Sequence, residues 1–381
     1  MSAVQLGFAE KPEDGVLTFT LDDFPNKIGG KPMWLNQSAP LKATDVTCGV
    51  CEKPMVLLLQ FYTPEDHPIE AYHRVIYVFC CRNGACHKNR WQDCFKAYRS
   101  QLPEVNEVYT FDEDSDTHVP TPTAPLCNIC GLSGPKKCSK CKAAQYCSKE
   151  HQVVDWNEGG HKHRCESANG DAADPATASQ TKVLFPEFEL VSEDEPEPSA
   201  GAGDEDENDE GESLETKLAN VAIEGSEAIE DMEETEVDVD KAFLKFQKRV
   251  LREPEQVIRY ARVSYEDGKD PEPLWVSDSG KPQAEHIPAC PHCHGPRVFE
   301  FQAMPQLLNV LDINHFTSDA LDWGTIIVYS CVGNCQPEGQ TYMEETVWRQ
   351  MFSEHGMGDS AKAVLERERA LAAVASVPKT A

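Results

Sequence analysis

The side chains of this chain that could do chemistry are thiols and imidazoles, and most of them come in closely spaced pairs. Residues 127–165 read Cys127-x2-Cys130-x7-Cys138-x2-Cys141-x5-Cys147-x3-His151-x9-His161-x3-Cys165. A structural zinc ion takes four N or S ligands in a closed tetrahedron, so eight donors in four pairs make two sites. So short a module stays compact if the pairs alternate. Cys127, Cys130, Cys147 and His151 would then hold one ion, and Cys138, Cys141, His161 and Cys165 the other. His163 is a rival to His161, which is favoured by its x3 spacing to Cys165. Thiolates in C-x-x-C converge on one ion about 2.3 Å away, whereas a structural disulfide joins distant segments. The cysteines, sixteen in all, therefore read as a source of metal ligands rather than of disulfides, in a reducing compartment.

Two further donor sets flank this block. Cys48, Cys51 and Cys86 form one set, with Cys80 and Cys81 competing for the fourth place. Cys81 is preferred because adjacent strand residues face opposite sides and because it leaves the shorter loop to Cys86. Cys94 is left over as a core thiol. Cys290, Cys293, Cys331 and Cys335 make a complete set of four thiolates, with His292 and His294 exposed beside them. These closed sets leave no open position for a reacting water, so the metal is structural and its binding supplies folding free energy. No P-loop, nucleophile elbow or H-E-x-x-H stands anywhere in the chain, Asn314-His315 reads as ordinary structure, and no catalytic residue is assigned.

The elements around the ligands repeat. Cys48-Gly-Val-Cys51-Glu-Lys-Pro54-Met-Val56-Leu-Leu-Leu-Gln60 aligns without a gap on Cys290-Pro-His-Cys293-His-Gly-Pro296-Arg-Val298-Phe-Glu-Phe-Gln302. Each is followed by a β-branched run ending in cysteine, Val75–Cys81 and Ile326–Cys331. Both halves thus read as knuckle, strand, excursion, strand, knuckle, which predicts two related β-rich units, each clamped by one zinc ion. Between Asp240 and Arg252, Phe243, Phe246 and Val250 recur at helical intervals. That spacing predicts an amphipathic helix, followed by a turn-rich or helical piece to Arg262.

The net charge of −30 is concentrated in one place. From Pro186 to Asp240 there are 23 acidic residues against Lys217 alone, so about −22 belongs to that stretch. It cannot bury enough apolar surface to offset its ordering entropy and reads as a disordered acidic linker over 166–238. Leu184–Leu190 is an apolar island within it, suited to docking on a groove. The remaining boundaries are 1–115, 127–165, 239–356 and a tail at 357–381. The acidity argues against nucleic acid as a main partner, although residues 127–165 have a local excess of Lys and Arg. No apolar run reaches the 18 to 20 or so residues of a membrane span. The N-terminus carries no basic lead into an apolar stretch, so no signal peptide is expected.

Several motifs carry a resemblance. The central block resembles the MYND zinc finger in Tyr146-Cys147-Ser148, His151-Gln152, Asp155-Trp156, His161-Lys162 and Cys165, with His151 where that family usually has Cys. Leu6-Gly-Phe-Ala-Glu10, Gly29-Gly-Lys-Pro-Met-Trp34-Leu35, Phe79-Cys-Cys81, Gln101-Leu-Pro103, Glu253–Tyr260, Pro273-Leu-Trp275, Phe299–Leu308 and Asp322-Trp-Gly324, with the finger, resemble the programmed cell death protein 2 family. The resemblance implies an α+β, β-rich fold in which the two flanking halves form one bipartite domain with the finger inserted. It also implies a non-enzymatic chaperone for a newly made small-subunit ribosomal protein, active in ribosome biogenesis and moving between cytoplasm and nucleus. The acidic linker would screen such a basic client while β-rich grooves hold its extended segments. A second reading, from the finger alone, is a transcriptional corepressor scaffold that binds proline-containing peptides.

Overall fold

The computed structural model describes residues 4–11, 24–108, 123–167, 182–196, 240–262, 271–313 and 319–352, with Phe19 and Thr317. Its strands, in chain order, are β1 (Gln5–Glu10), β2 (Lys27–Ile28), β3 (Val56–Tyr62), β4 (His73–Cys80), β5 (Phe95–Leu102), β6 (Lys136–Lys137), β7 (Gln145–Tyr146), β8 (Phe188–Asp194), β9 (Ile258–Tyr260), β10 (Arg297–Ala303), β11 (Thr325–Cys331) and β12 (Met343–Gln350). The helices are α1 (Gly84–Arg90), α2 (Lys149–Asn157), α3 (His161–Ser167), α4 (Lys241–Val250) and α5 (Leu307–Val310). Among the described residues no helix is long and apolar enough to cross a membrane.

Ten strands close into one antiparallel barrel in the order β1-β8-β2-β3-β4-β5-β12-β11-β10-β9. The repeat seen in the sequence is a pseudo-twofold of this barrel: β2 to β5 correspond to β9 to β12. Both first long strands carry a register shift at the matching place, between Leu57 and Leu59 on β3 and between Phe299 and Phe301 on β10. Gln60 and Gln302 are both buried and do the same work. Gln60 accepts from the backbone N–H of Met33 and donates to Pro25, while Gln302 accepts from and donates to the backbone of Leu274. Each glutamine pins the residue just before a tryptophan, Trp34 or Trp275.

The halves are joined by exchanged strands. β1, first in the chain, pairs with β9 of the second half, and β8 pairs with β2 of the first. They meet each other along the full length of β1, and β5 meets β12 at the opposite seam. This corrects the expectation of an uninterrupted acidic linker over 166–238, because residues 182–196 enter the barrel, with Phe185 and Leu190 buried. The apolar island docks in cis, and its last three residues, Phe188 to Leu190, begin β8. Residues 168–181 and 197–239, the rest of that linker, and the tail at 357–381 lie outside the described residues, as do Asn314 and His315. A second correction concerns the turn-rich or helical piece expected up to Arg262. Turns run only to Glu255, and Ile258–Tyr260 is a strand, β9, held between β1 and β10. Three residues give no readable period of their own.

The interior is partly aromatic. Phe61 on β3 meets Tyr260 and Phe301 edge-on at centroid distances of 5.4 and 5.5 Å, and neither partner is on a neighbouring strand, so the contacts cross the lumen. It is also charged. Arg74 on β4 reaches Glu300 on β10, and Arg99 on β5 reaches Glu345 on β12. α4 forms as its spacing predicts, with Asp240 capping the N–H of Phe243 at 2.9 Å, and it buries Ala242 and Phe246. Phe246 packs with Val276 and Met304.

Candidate metal centres

Four C-x-x-C knuckles share one backbone design. In each, the carbonyl of the first cysteine accepts from the N–H four residues on: Glu52, Gly131, Lys142 and His294 at 2.9 to 3.0 Å. Those four residues all sit at positive φ, between 57° and 73°, although three of them are not glycine. The closed turn aims both thiols inward and turns backbone N–H groups toward the first sulfur. Burial works against ionisation of Cys48 and Cys290, but N–H groups two and three residues on outweigh it in each and lower both thiols, Cys290 to about 7. A lowered thiol is a readier metal ligand.

The structure brings the sixteen predicted donors together in four groups of four: Cys48, Cys51, Cys81 and Cys86; Cys127, Cys130, Cys147 and His151; Cys138, Cys141, His161 and Cys165; and Cys290, Cys293, Cys331 and Cys335. Within each group all ligand atoms lie within 4.8 Å of one another. Bonds of about 2.3 Å in a tetrahedron set sulfurs about 3.8 Å apart. The observed Sγ–Sγ separations are 3.7 Å for Cys51–Cys81, 3.6 Å for Cys130–Cys147, 3.9 Å for Cys138–Cys165 and 3.4 Å for Cys293–Cys331. His151 turns Nδ1 to Cys127 and Cys147 at 3.6 and 3.2 Å, whereas His161 turns Nε2 to Cys141 at 3.6 Å. Thiolate-rich tetrahedral sets of this size fit zinc by donor type and geometry.

The alternatives separate in space. Cys81, not Cys80, joins the first group, and the Cys80 thiol is fully buried outside it. His163 stands outside its group, and His292 and His294 are exposed. Cys94 is fully buried with its sulfur 3.9 Å from Cys48, beside the first group without belonging to it.

Outer contacts hold the knuckles in place, as metal ligands require. Burial lowers His87 to about 4, so its ring is neutral, and Nε2 donates to the carbonyl of Cys81 at 2.8 Å. The Cys331–Cys335 loop is gripped from both halves. Arg262 donates to the carbonyls of Cys331 and Val332, Arg99 to that of Cys335, and Glu345 accepts from the N–H of Cys331. Asn334 at its tip accepts from both Arg74 and Arg262. None of these long-range arginine contacts carries a sequence signal, because their partners are 69 or more residues away.

In the finger, Ser148 caps α2 by accepting from the N–H of His151. The buried Asp155 accepts from Tyr146 at 2.7 Å and from Arg164 at 3.1 Å, locking hairpin and both helices together. The finger is docked on the barrel rather than hung from it. Trp34 donates from Nε1 to the carbonyl of Gly131 at 2.8 Å, and Ser133 donates to Leu41 at 2.9 Å. Lys31 lies against the same knuckle; burial lowers it, while the thiols of Cys127 and Cys130 pull the other way.

Comparison with known proteins finds family matches in three segments of the chain. Residues 3–116 match the N-terminal domain of programmed cell death protein 2, residues 127–165 the MYND finger, and residues 240–351 the C-terminal domain of programmed cell death protein 2. The chain is 37% identical over 359 residues to programmed cell death protein 2 of Bos taurus, covering 91% of this chain and 96% of that one. Against the Mus musculus protein of the same name it is 36% identical over 356 residues, with the same coverage. A shorter match, 31% identical over 104 residues, covers 26% of this chain and 24% of a protein of Schizosaccharomyces pombe named "Probable 20S rRNA accumulation protein 4". No solved structure gives a significant match. Shared sequence along nearly the whole chain, both flanking domains and the inserted finger together establish that this chain belongs to the programmed cell death protein 2 family.

Proposed function

We propose that this chain is a non-catalytic adaptor, built on four structural zinc ions, that escorts a newly made basic protein of the small ribosomal subunit between cytoplasm and nucleus. The observation that carries this reading is the similarity to the fission-yeast protein named for 20S rRNA accumulation. Charge supports it, since the acidic segment is a sink for a client rich in Lys and Arg. Closure of the barrel changes how such a client would be held. Strand addition needs an open sheet edge, and each of the ten barrel strands has a neighbouring strand on both sides. The client is therefore taken by the acidic segment and by loop and finger surfaces, not by the sheet.

The test is affinity purification of the tagged, zinc-replete full chain followed by mass spectrometry. One small-subunit ribosomal protein in near-stoichiometric yield is the expected result, and a preparation with no ribosomal protein above the control overturns the reading.

One observation favours a second reading, a finger-directed scaffold for proline-containing peptides. The β6–β7 hairpin is a two-stranded sheet; Asn128 covers β7 at Gln145, but among the described residues no strand pairs with the outer edge of β6. Hydrogen-exchange protection of residues 136–146 on titration of such a peptide would support it, and unchanged exchange would dismiss it.

A further inference from the structure

α4 presents a second face besides the one it buries. Lys241, Lys245 and Arg249 follow one another at intervals of four, so they form one stripe along the helix. That stripe lines a cavity of about 390 Å³, whose lining also includes Phe299, Trp275 and Lys281. Five cations and two carboxylates line it; Arg249 and Arg259 pair with Glu195 and Lys281 with Asp278, so the stripe's contribution to a ligand rests on Lys241 and Lys245. Such a cavity suits a segment that interleaves carboxylates with aliphatic side chains.

We propose that this cavity is the docking site of the chain's own acidic segment, residues 221–239. That stretch reads Val-Ala-Ile-Glu-Gly-Ser-Glu-Ala-Ile-Glu-Asp-Met-Glu-Glu-Thr-Glu-Val-Asp-Val and has no Lys or Arg. Both ends of the acidic region lie beside residues that line the cavity. At one end Glu195 follows β8, and its carboxylate accepts from Arg249 at 2.8 and 2.9 Å and from Arg259 at 2.8 Å. At the other end Asp240 caps α4 itself. A segment tethered at both ends beside its site has an effective concentration on the order of mM, so contacts too weak to hold a free peptide keep it bound. Charge complementarity and the points where residues 197–239 leave and rejoin the described chain thus favour the same occupant. The inference does not depend on the identity of any client.

The experiment uses the full chain as an equimolar mixture of isotopically light and heavy protein, cross-linked with a zero-length carbodiimide and mapped by mass spectrometry. The expected links join Lys241 or Lys245 to carboxylates of residues 224–238 within one isotopic species. They fall about fivefold or more at 0.5 M NaCl, where the Debye length is only about 4 Å. Hydrogen exchange supplies a readout that does not need the lysine amines. Protection of residues 224–238 is lost in K241Q/K245Q and kept in K241R/K245R, and both lysines are exposed, so the fold tolerates either pair. Links that fall instead on the finger lysines Lys136 to Lys142, links of mixed isotope, or exchange that is indifferent to K241Q/K245Q each overturn the proposal.

Discussion

Arg74 and Glu300 face each other across the barrel as a bidentate pair, Nη1 to Oε1 at 2.7 Å and Nη2 to Oε2 at 2.8 Å, with both side chains fully buried. One comes from each half of the chain. Glu300 sits at the register shift of β10 and also meets Arg262 and Ser330, so its lone pairs are well used.

Removing either member alone leaves a buried charge with too few partners. Arg74→Ala or Glu300→Ala is expected to cost about 3–5 kcal/mol, and R74L with E300L together to recover much of that. Urea unfolding of the zinc-loaded proteins measures it; a double-variant loss equal to the sum of the two single losses would show that the pair is not coupled.

The same pair gives a pH dependence. Burial pushes the Glu300 carboxyl up, but the Arg74 and Arg262 charges outweigh it and hold it below the usual carboxylate range. The folded state therefore binds the proton less tightly than the unfolded one. The stabilisation is present above the unfolded value of about 4.3 and is lost as pH falls through the lower folded value. Comparing the parent with Glu300→Gln cancels acid loss of zinc. The stability gap should be full at pH 7 and close below about pH 4.

Elemental analysis distinguishes ligands from their neighbours. His161→Ala and Cys81→Ala should each lower the zinc content by one ion per chain, while His163→Ala, Cys80→Ala and Cys94→Ala keep it. A chelator should strip the last group first, because Cys293 is the one exposed cysteine of the sixteen.

Trp34 is buried beneath the finger, stacks near Phe79 and Tyr77, and holds the carbonyl of Gly131. Trp34→Ala should cost about 3–5 kcal/mol and release the finger from the barrel while its own zinc ions stay bound. Faster hydrogen exchange at residues 125–134 with unchanged zinc content is the signature.

Two deletions divide the acidic region. Loss of residues 197–238 should keep unfolding cooperative, weaken binding of a basic client and flatten its salt dependence. Loss of residues 182–196 takes β8 out of the barrel and should abolish cooperative unfolding. If both deletions behave alike, β8 is not part of the fold.

The ligand pairing could be read in the chain because zinc coordination is local in sequence. Two thiols in a four-residue turn must point the same way, and such turns recur in matching surroundings at Cys48 and Cys290. The repeat of knuckle, strand and knuckle followed from the same fact, and so did the amphipathic α4, whose period of 3.6 is written in ten residues. Tertiary structure decided what depends on distant partners. The choice of Cys81 over Cys80 turns on which face of one strand end looks toward Cys51, and that of His161 over His163 on the direction of one helix. β8 could not be recognised in an acidic stretch, because only Leu190 of its seven residues is buried and its pairing is supplied by β1 and β2. The exchange of β1 and β8 between halves, and the closing of two repeats into one barrel, arise from hydrogen bonds between backbones. Every residue but proline offers the same backbone groups, so the sequence carries no mark of where they pair.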